Sequence, residues 1–185
     1  MDKPYVSRAG LKLESVATAL AIDFRGKLVL DVGSSTGGFT DYALKHGARK
    51  VIAVDIGSLQ LHHSLRGDPR IELHEQTDVR SINKLSGLPD IVVIDVSFVS
   101  LRDILPSIIK LSDDNTSIIA MAKPQFEAKT EQKHHGIIKN DHIRRDILKD
   151  FEAWAKAYFV ILGKADSAVT GAGGNLERFY LLRKR

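Results

Sequence analysis

Four ionisable side chains close apolar runs that have the length and composition of buried strands. Asp31 ends the run from Leu28, Asp55 ends the run from Lys50, and Asp95 ends Ile91-Val-Val-Ile-Asp95. Lys123 ends Ile118-Ile-Ala-Met-Ala-Lys123, and Pro124 stops that run. In an open α/β sheet, ligands gather beyond the carboxyl ends of the strands, so these four residues are expected on one rim. A lysine at such a rim becomes a usable base when desolvation or a neighbouring cation disfavours its charged form. It can then take a proton from a hydroxyl nucleophile while Asp95 orients the partners. The competing reading is a solvated lysine and an aspartate that caps the next turn.

Beside Asp31 lies a glycine-rich turn, Asp31-Val-Gly-Ser-Ser-Thr-Gly-Gly-Phe-Thr40. Such a turn lets the backbone pass close to a ligand and aims free N–H groups of the following helix at it. A dinucleotide turn reads Gly-x-Gly-x-x-Gly, but Ser35 stands where its second glycine belongs. The phosphate-loop pattern also fails, because no Gly-Lys-Ser/Thr follows. Without a pyrophosphate to cradle, the turn suits a less anionic nucleoside cofactor. S-adenosylmethionine is the cofactor inferred, with NAD the weaker competitor. Asp31, Gly33, Ser34, Ser35, Thr36, Gly37, Gly38 and Phe39 are its expected cradle. Asp55 is expected at the ribose hydroxyls and Asp78 at the adenine amino group.

The elements needed to position these groups can be read from periodicity. Strands are expected at Leu28–Val32, Lys50–Asp55, Ile71–His74, Ile91–Val96 and Ser117–Ala122, with helices around 37–46, 58–66 and 100–111. That alternation predicts a parallel α/β sheet covered on both faces. Ser7 is expected to cap a first helix running to about Ile22, with Leu13, Val16, Ala17 and Leu20 on its apolar face. Asp141 to Tyr158 reads as an amphipathic helix, with Ile143, Ile147, Leu148, Phe151 and Trp154 as its stripe. Residues 159–169 and 178–183 read as an antiparallel pair at one edge. Pro124 to Asn140 lacks clear periodicity and reads as a functional loop.

The 185 residues are expected to form a single domain, in which 1–26 are a lead-in and helix. The chain has no cysteine, which removes thiolate chemistry and Cys-based zinc sites and is compatible with a cytoplasmic setting. No apolar run approaches membrane-spanning length. A net charge of +4 tilts the surface towards anionic partners such as nucleic acid.

Six segments together resemble the TlyA, or hemolysin-A-like, RNA methyltransferases, relatives of the FtsJ-type ribose 2′-O-methyltransferases. They are Tyr5-Val-Ser-Arg-Ala-Gly-Leu-Lys-Leu13, Asp31 to Asp41, Val54-Asp-Ile-Gly57, Val93 to Leu101, Lys123-Pro-Gln-Phe-Glu127 and Gly174-Asn-Leu-Glu177. They follow the family's order and cover nearly the whole chain. The resemblance implies a Rossmann-like class I methyltransferase fold, with a mostly parallel seven-stranded sheet, one antiparallel strand and helices on both faces. By motif position the family's catalytic tetrad falls on Lys12, Asp95, Lys123 and Glu177. It implies methyl transfer from S-adenosylmethionine to a ribose 2′-oxygen of ribosomal RNA or a ribosomal subunit, with cytidine as the nucleoside. Lys123 is then the expected base and no metal is required. Neither Lys12 nor Glu177 would be chosen by spacing alone.

Two departures accompany the resemblance. Family members usually carry an S4-type RNA-binding domain before the Tyr-Val-Ser-Arg segment, and here only four residues precede it. The first motif also has Ala9 where a glycine is expected, which disfavours a positive φ. Phe98 is a candidate for stacking on a base, against burial under the following helix, and Arg8, Lys129 and Lys133 for phosphate contact, against simple solvation. The pairs His62-His63 and His134-His135 diverge too far to make ready chelates. Two other functional classes stand against the enzyme reading. One is a membrane-active haemolysin, opposed by the lack of spanning segments; the other is an RNA- or cofactor-binding domain without catalysis of its own.

Overall fold

Alternation along the central strands sorts their side chains onto two faces, and each face builds its own core. The computed structural model describes residues 4–128, 137, 138, 140–171 and 173–185. Seven strands form one sheet: β1 (Leu28–Val32), β2 (Lys50–Val54), β3 (Ile71–His74), β4 (Ile91–Ile94), β5 (Ser117–Ala122), β6 (Phe159–Asp166) and β7 (Arg178–Lys184). Their spatial order is β3-β2-β1-β4-β5-β7-β6. The pairs among β1 to β5 are parallel, and β7 runs antiparallel to both β5 and β6. The expected edge hairpin therefore exists, with β7 inserted between β5 and β6.

Leu30, Val92, Ile94, Ile118, Ala120, Tyr180 and Leu182 face one side, where α3 (Leu101–Leu111) and α5 (Asp141–Ala155) supply Leu105, Ile108, Leu148 and Phe151. Val29, Val93, Ile119, Met121 and Phe179 face the other, against α1 (Arg8–Ala17) and α2 (Gly38–Lys45). Leu13, Val16, Ala17 and Leu20 are all buried there, as the stripe of the first helix requires. A one-turn helix, α4 (Pro124–Glu127), follows β5. Among the described residues no helix is long and apolar enough to cross a membrane.

The first helix and the 58–66 segment depart from expectation, each for a local reason. The first helix ends before Ile22 because Ala21 takes φ +51°. The Ile22 N–H then bonds back to Ala17 O and the Ala21 N–H to Thr18 O, which closes a Schellman motif without a glycine. Ser7 precedes that helix in extended backbone, but its side chain makes no capping hydrogen bond. The helix expected at 58–66 does not form. There the Glu75 carboxylate takes the N–H groups of Leu59, Gln60 and Leu61 at 2.8, 2.8 and 3.2 Å, holding an irregular segment instead. Leu61 and Leu65 of this segment lie against Gly37, where a Cβ would come within 2.7 Å of both. Much of the expected loop, residues 129–136 and 139, lies outside the described residues, and with it Lys129, Lys133 and the His134-His135 pair.

Candidate active site

At the glycine turn the ends of β1, β4 and β5 meet α1 around one concavity, whose lining includes none of Asp55, Gly37 and Gly38. Gly33 has φ +81°, and a Cβ there would meet the Asp95 carbonyl oxygen at 2.6 Å. Only glycine permits both the turn and this approach of β1 to β4. Gly38 opens α2, and a Cβ on it would collide with Ser7 Oγ and stand 2.8 Å from Ala9 Cβ. Ala9 sits within α1 with no positive φ, so the alanine costs the backbone nothing. The Asp55 carboxylate spans the turn, accepting from the Ser35 N–H at 2.8 Å and the Gly57 N–H at 2.7 Å.

Asp31 is completely buried. Its Oδ2 accepts from Thr40 Oγ1 at 2.6 Å, whereas Oδ1 and the neighbouring Ser34 Oγ are buried without a hydrogen-bond partner. Burial pushes the Asp31 carboxyl up to about 7, and the negative charges of Asp95 and Asp55 act in the same direction. A cleft of about 150 Å³ borders Asp31, Gly33 to Thr36, Phe39, Asp95, Ser97 and Lys123.

The tetrad residues assemble as two ion pairs. Lys123 Nζ lies 2.6 Å from Asp95 Oδ1 and donates to Ser97 Oγ at 2.7 Å. Lys12 Nζ donates to Glu177 Oε2 at 2.5 Å across 165 positions of sequence. Both lysines and Glu177 are buried. Each lysine is thus removed from water together with a carboxylate. Lys12, Lys123 and Glu177 line a second cleft of about 380 Å³ with Arg8, Ser97, Phe98 and Phe126. Ser7, Ala9, Ser97 and Lys123 border both clefts, so the two adjoin along a shared wall. A further cavity of about 450 Å³ lies at the opposite ends of the strands, among Asp23, Asp90, Asp113 and Thr116, remote from these groups.

Long-range contacts hold the pairs in place. A Cβ on Gly171 would stand 2.7 Å from Glu177 Oε1, so that glycine leaves room for the carboxylate. Arg144, buried on α5, donates from Nε to Leu176 O and from Nη2 to Asp166, fixing the backbone beside Glu177. Asp41 accepts from the Val6 N–H at 2.9 Å and Lys45 donates to Pro4 O, which pins the lead-in to α2.

Asp78 stands apart from both clefts' linings. It caps the 3-10 turn Val79–Ser81, and its carboxylate is engaged by the Arg80 guanidinium at 2.6 Å. Phe98 is 92% exposed at φ +66°, with its ring 5.2 Å from Phe126. The His62 and His63 rings lie 4.2 Å apart, and no group of three metal-binding side chains forms among the described residues. Sequence reasoning missed Ser97, Phe126 and Gln125 as cleft residues. The signal lay in the Val93 to Leu101 and Lys123 to Glu127 segments, whose chemistry emerges only when the two loops face each other.

Known proteins resemble this chain over nearly its whole length. The Bacillus subtilis protein YqxC is 40% identical over 94% of this chain and 63% of its own length. A Mycobacterium tuberculosis 16S/23S rRNA (cytidine-2′-O)-methyltransferase, TlyA, is 36% identical over 98% of this chain and 69% of its own. The chain therefore spans about two thirds of these relatives. A solved structure from Streptococcus thermophilus superposes with a TM-score of 0.94 at 39% identity, covering 100% of this chain and 68% of that one. The FtsJ-like methyltransferase pattern matches residues 5–185, and the chain belongs to that family.

Proposed function

We propose that this chain methylates the ribose 2′-hydroxyl of ribosomal RNA, at cytidine, with S-adenosylmethionine as donor and in the cytoplasm. The observation that carries this reading is the pair of buried lysine–carboxylate contacts, Lys12–Glu177 and Lys123–Asp95, set on two adjoining clefts that share Lys123 in their wall. The TlyA relative is named for that chemistry on cytidine. The smaller cleft is the side assigned to the donor, because Asp31 Oδ1 and Ser34 Oγ are buried there without a hydrogen-bond partner. When bound, S-adenosylmethionine supplies an electrophilic methyl group.

Asp31 and the segment from Gly33 to Phe39 hold the donor, with Asp55 at its ribose hydroxyls. Asp78 reaches its adenine only by releasing Arg80. Lys12 and Glu177 hold the acceptor ribose, and the base form of Lys123 takes the 2′-hydroxyl proton at Nζ. Asp95 and Ser97 then hold the resulting ammonium, as their contacts to Lys123 already allow. Much of the acceleration comes from holding donor and acceptor at near-attack distance.

The test is transfer of a tritiated methyl group to ribosomal RNA and to ribosomal subunits. Lys123→Ala is expected to lower labelling by about 10²-fold or more. Equal labelling by wild type and variant would sink the role of Lys123. Digestion and mass spectrometry should place the label on the 2′-oxygen of cytidine, and a base-methylated nucleoside would overturn the reading.

A further inference from the structure

Two loops supply the acceptor side of the larger cleft. The first, 95–100, joins β4 to α3 and carries Asp95, Ser97 and Phe98. The second follows β5 and carries Lys123, Gln125 and Phe126 on and beside α4. The Glu127 side chain ties one to the other. Its Oε2 accepts from Ser100 Oγ at 2.6 Å and its Oε1 from the Leu101 N–H at 2.7 Å. Arg102 Nε lies 3.9 Å from the same carboxylate. Backbone bonds from the Phe126 and Glu127 N–H groups to Lys123 O couple the carboxylate's anchor to the lysine itself.

We propose that Glu127 is a positioning residue, a latch that holds Asp95, Ser97 and Phe98 in register with Lys123 and Phe126. The proposal rests on the reading of the reaction given above. A simple helix cap needs no buried carboxylate brought from another loop, since Ser100 already caps α3 by accepting from the Arg102 N–H. Glu127 is 8% exposed, and both of its oxygens are used across the gap between the loops. Phe98 provides a second sign of constraint. A non-glycine residue at φ +66° with an exposed ring persists only where neighbouring structure over-determines it. The latch ends two residues beyond Phe98, at Ser100.

The test compares the wild-type chain with Glu127→Gln and Glu127→Ala. Glu127→Gln keeps an oxygen for the Leu101 N–H and preserves packing, so it guards against failure of Glu127→Ala to fold. Methyl transfer to RNA is expected to fall about tenfold to a hundredfold in Glu127→Ala and less in Glu127→Gln, while S-adenosylmethionine affinity is retained. Hydrogen exchange reports the latch without catalysis. Amides 95–101 should lose protection in the variants while β4 and β5 keep theirs. Unchanged exchange across 95–101, or wild-type methyl transfer by a Glu127→Ala protein that binds S-adenosylmethionine, overturns the proposal. A wild-type chain that methylates no RNA removes the reaction assigned above, and the exchange comparison then decides the latch by itself.

Discussion

Asp31 meets the most demanding electrostatic surroundings in the site. Its carboxyl is fully buried, bonded on one oxygen only, and pushed from 3.8 to about 7 by that burial. A group whose pKa is raised on folding favours the folded state while protonated. Its contribution is full below the unfolded value near 4 and is lost as pH rises through 7. Replacing Asp31 with Asn should therefore flatten the decline in stability between about pH 4 and pH 7, by on the order of a few kcal/mol. Chemical denaturation of wild type and Asp31→Asn at several pH values measures this, and parallel slopes would refute it. The proposed cationic donor beside Asp31 favours its ionised form. Binding near neutral pH is then expected to release a proton, read by calorimetry in buffers of different ionisation enthalpy. Asp31, Asp95 and Lys123 were legible because each closes an apolar run. Ser97 was not, since a serine two residues past a strand end carries no periodic signal.

The juxtaposition of α1 and α2 is the element-scale decision on which Lys12 depends. Gly38 admits Ser7 and Ala9 to direct contact, and the Asp41 carboxylate holds the lead-in from the Val6 N–H. Gly38→Ala should force the helices apart at a cost of about 1–3 kcal/mol, lowering methyl transfer by displacing Lys12. Thermal melts and activity assays check this. Adding Ser7→Gly removes the colliding hydroxyl and should restore part of both, whereas strictly additive losses would exclude the collision. The strands were readable from their alternating and continuous apolar runs. The irregular 58–66 segment was not, because its N–H groups bond to Glu75, beyond the window that periodicity samples. The end of α1 escaped for a related reason: Ala21 adopts the conformation that a glycine would have advertised.

At the scale of the whole molecule, charge divides into two populations. Lys12 and Lys123 are buried against carboxylates, whereas Arg8 is exposed at the rim of the same cleft. RNA affinity should fall linearly with salt on logarithmic axes, and Arg8→Ala should reduce that slope by about 0.7 if it covers one phosphate. Lys12→Ala should leave the slope unchanged, since its charge is already compensated by Glu177. Filter binding across a salt series separates the two, and equal slopes for wild type and Arg8→Ala would remove Arg8 from the RNA surface. Neighbours within one or two turns of chain set the α/β alternation, the glycine turn and the ionisable strand ends, so these could be read before any tertiary contact was known. Family resemblance named Lys12 and Glu177, but no local rule could join residues 165 positions apart. Their meeting was decided by β7 entering between β5 and β6, by Gly171 leaving space, and by α1 docking on α2. The tertiary structure was needed there because a buried ion pair forms only where separate elements remove both charges from water at one place.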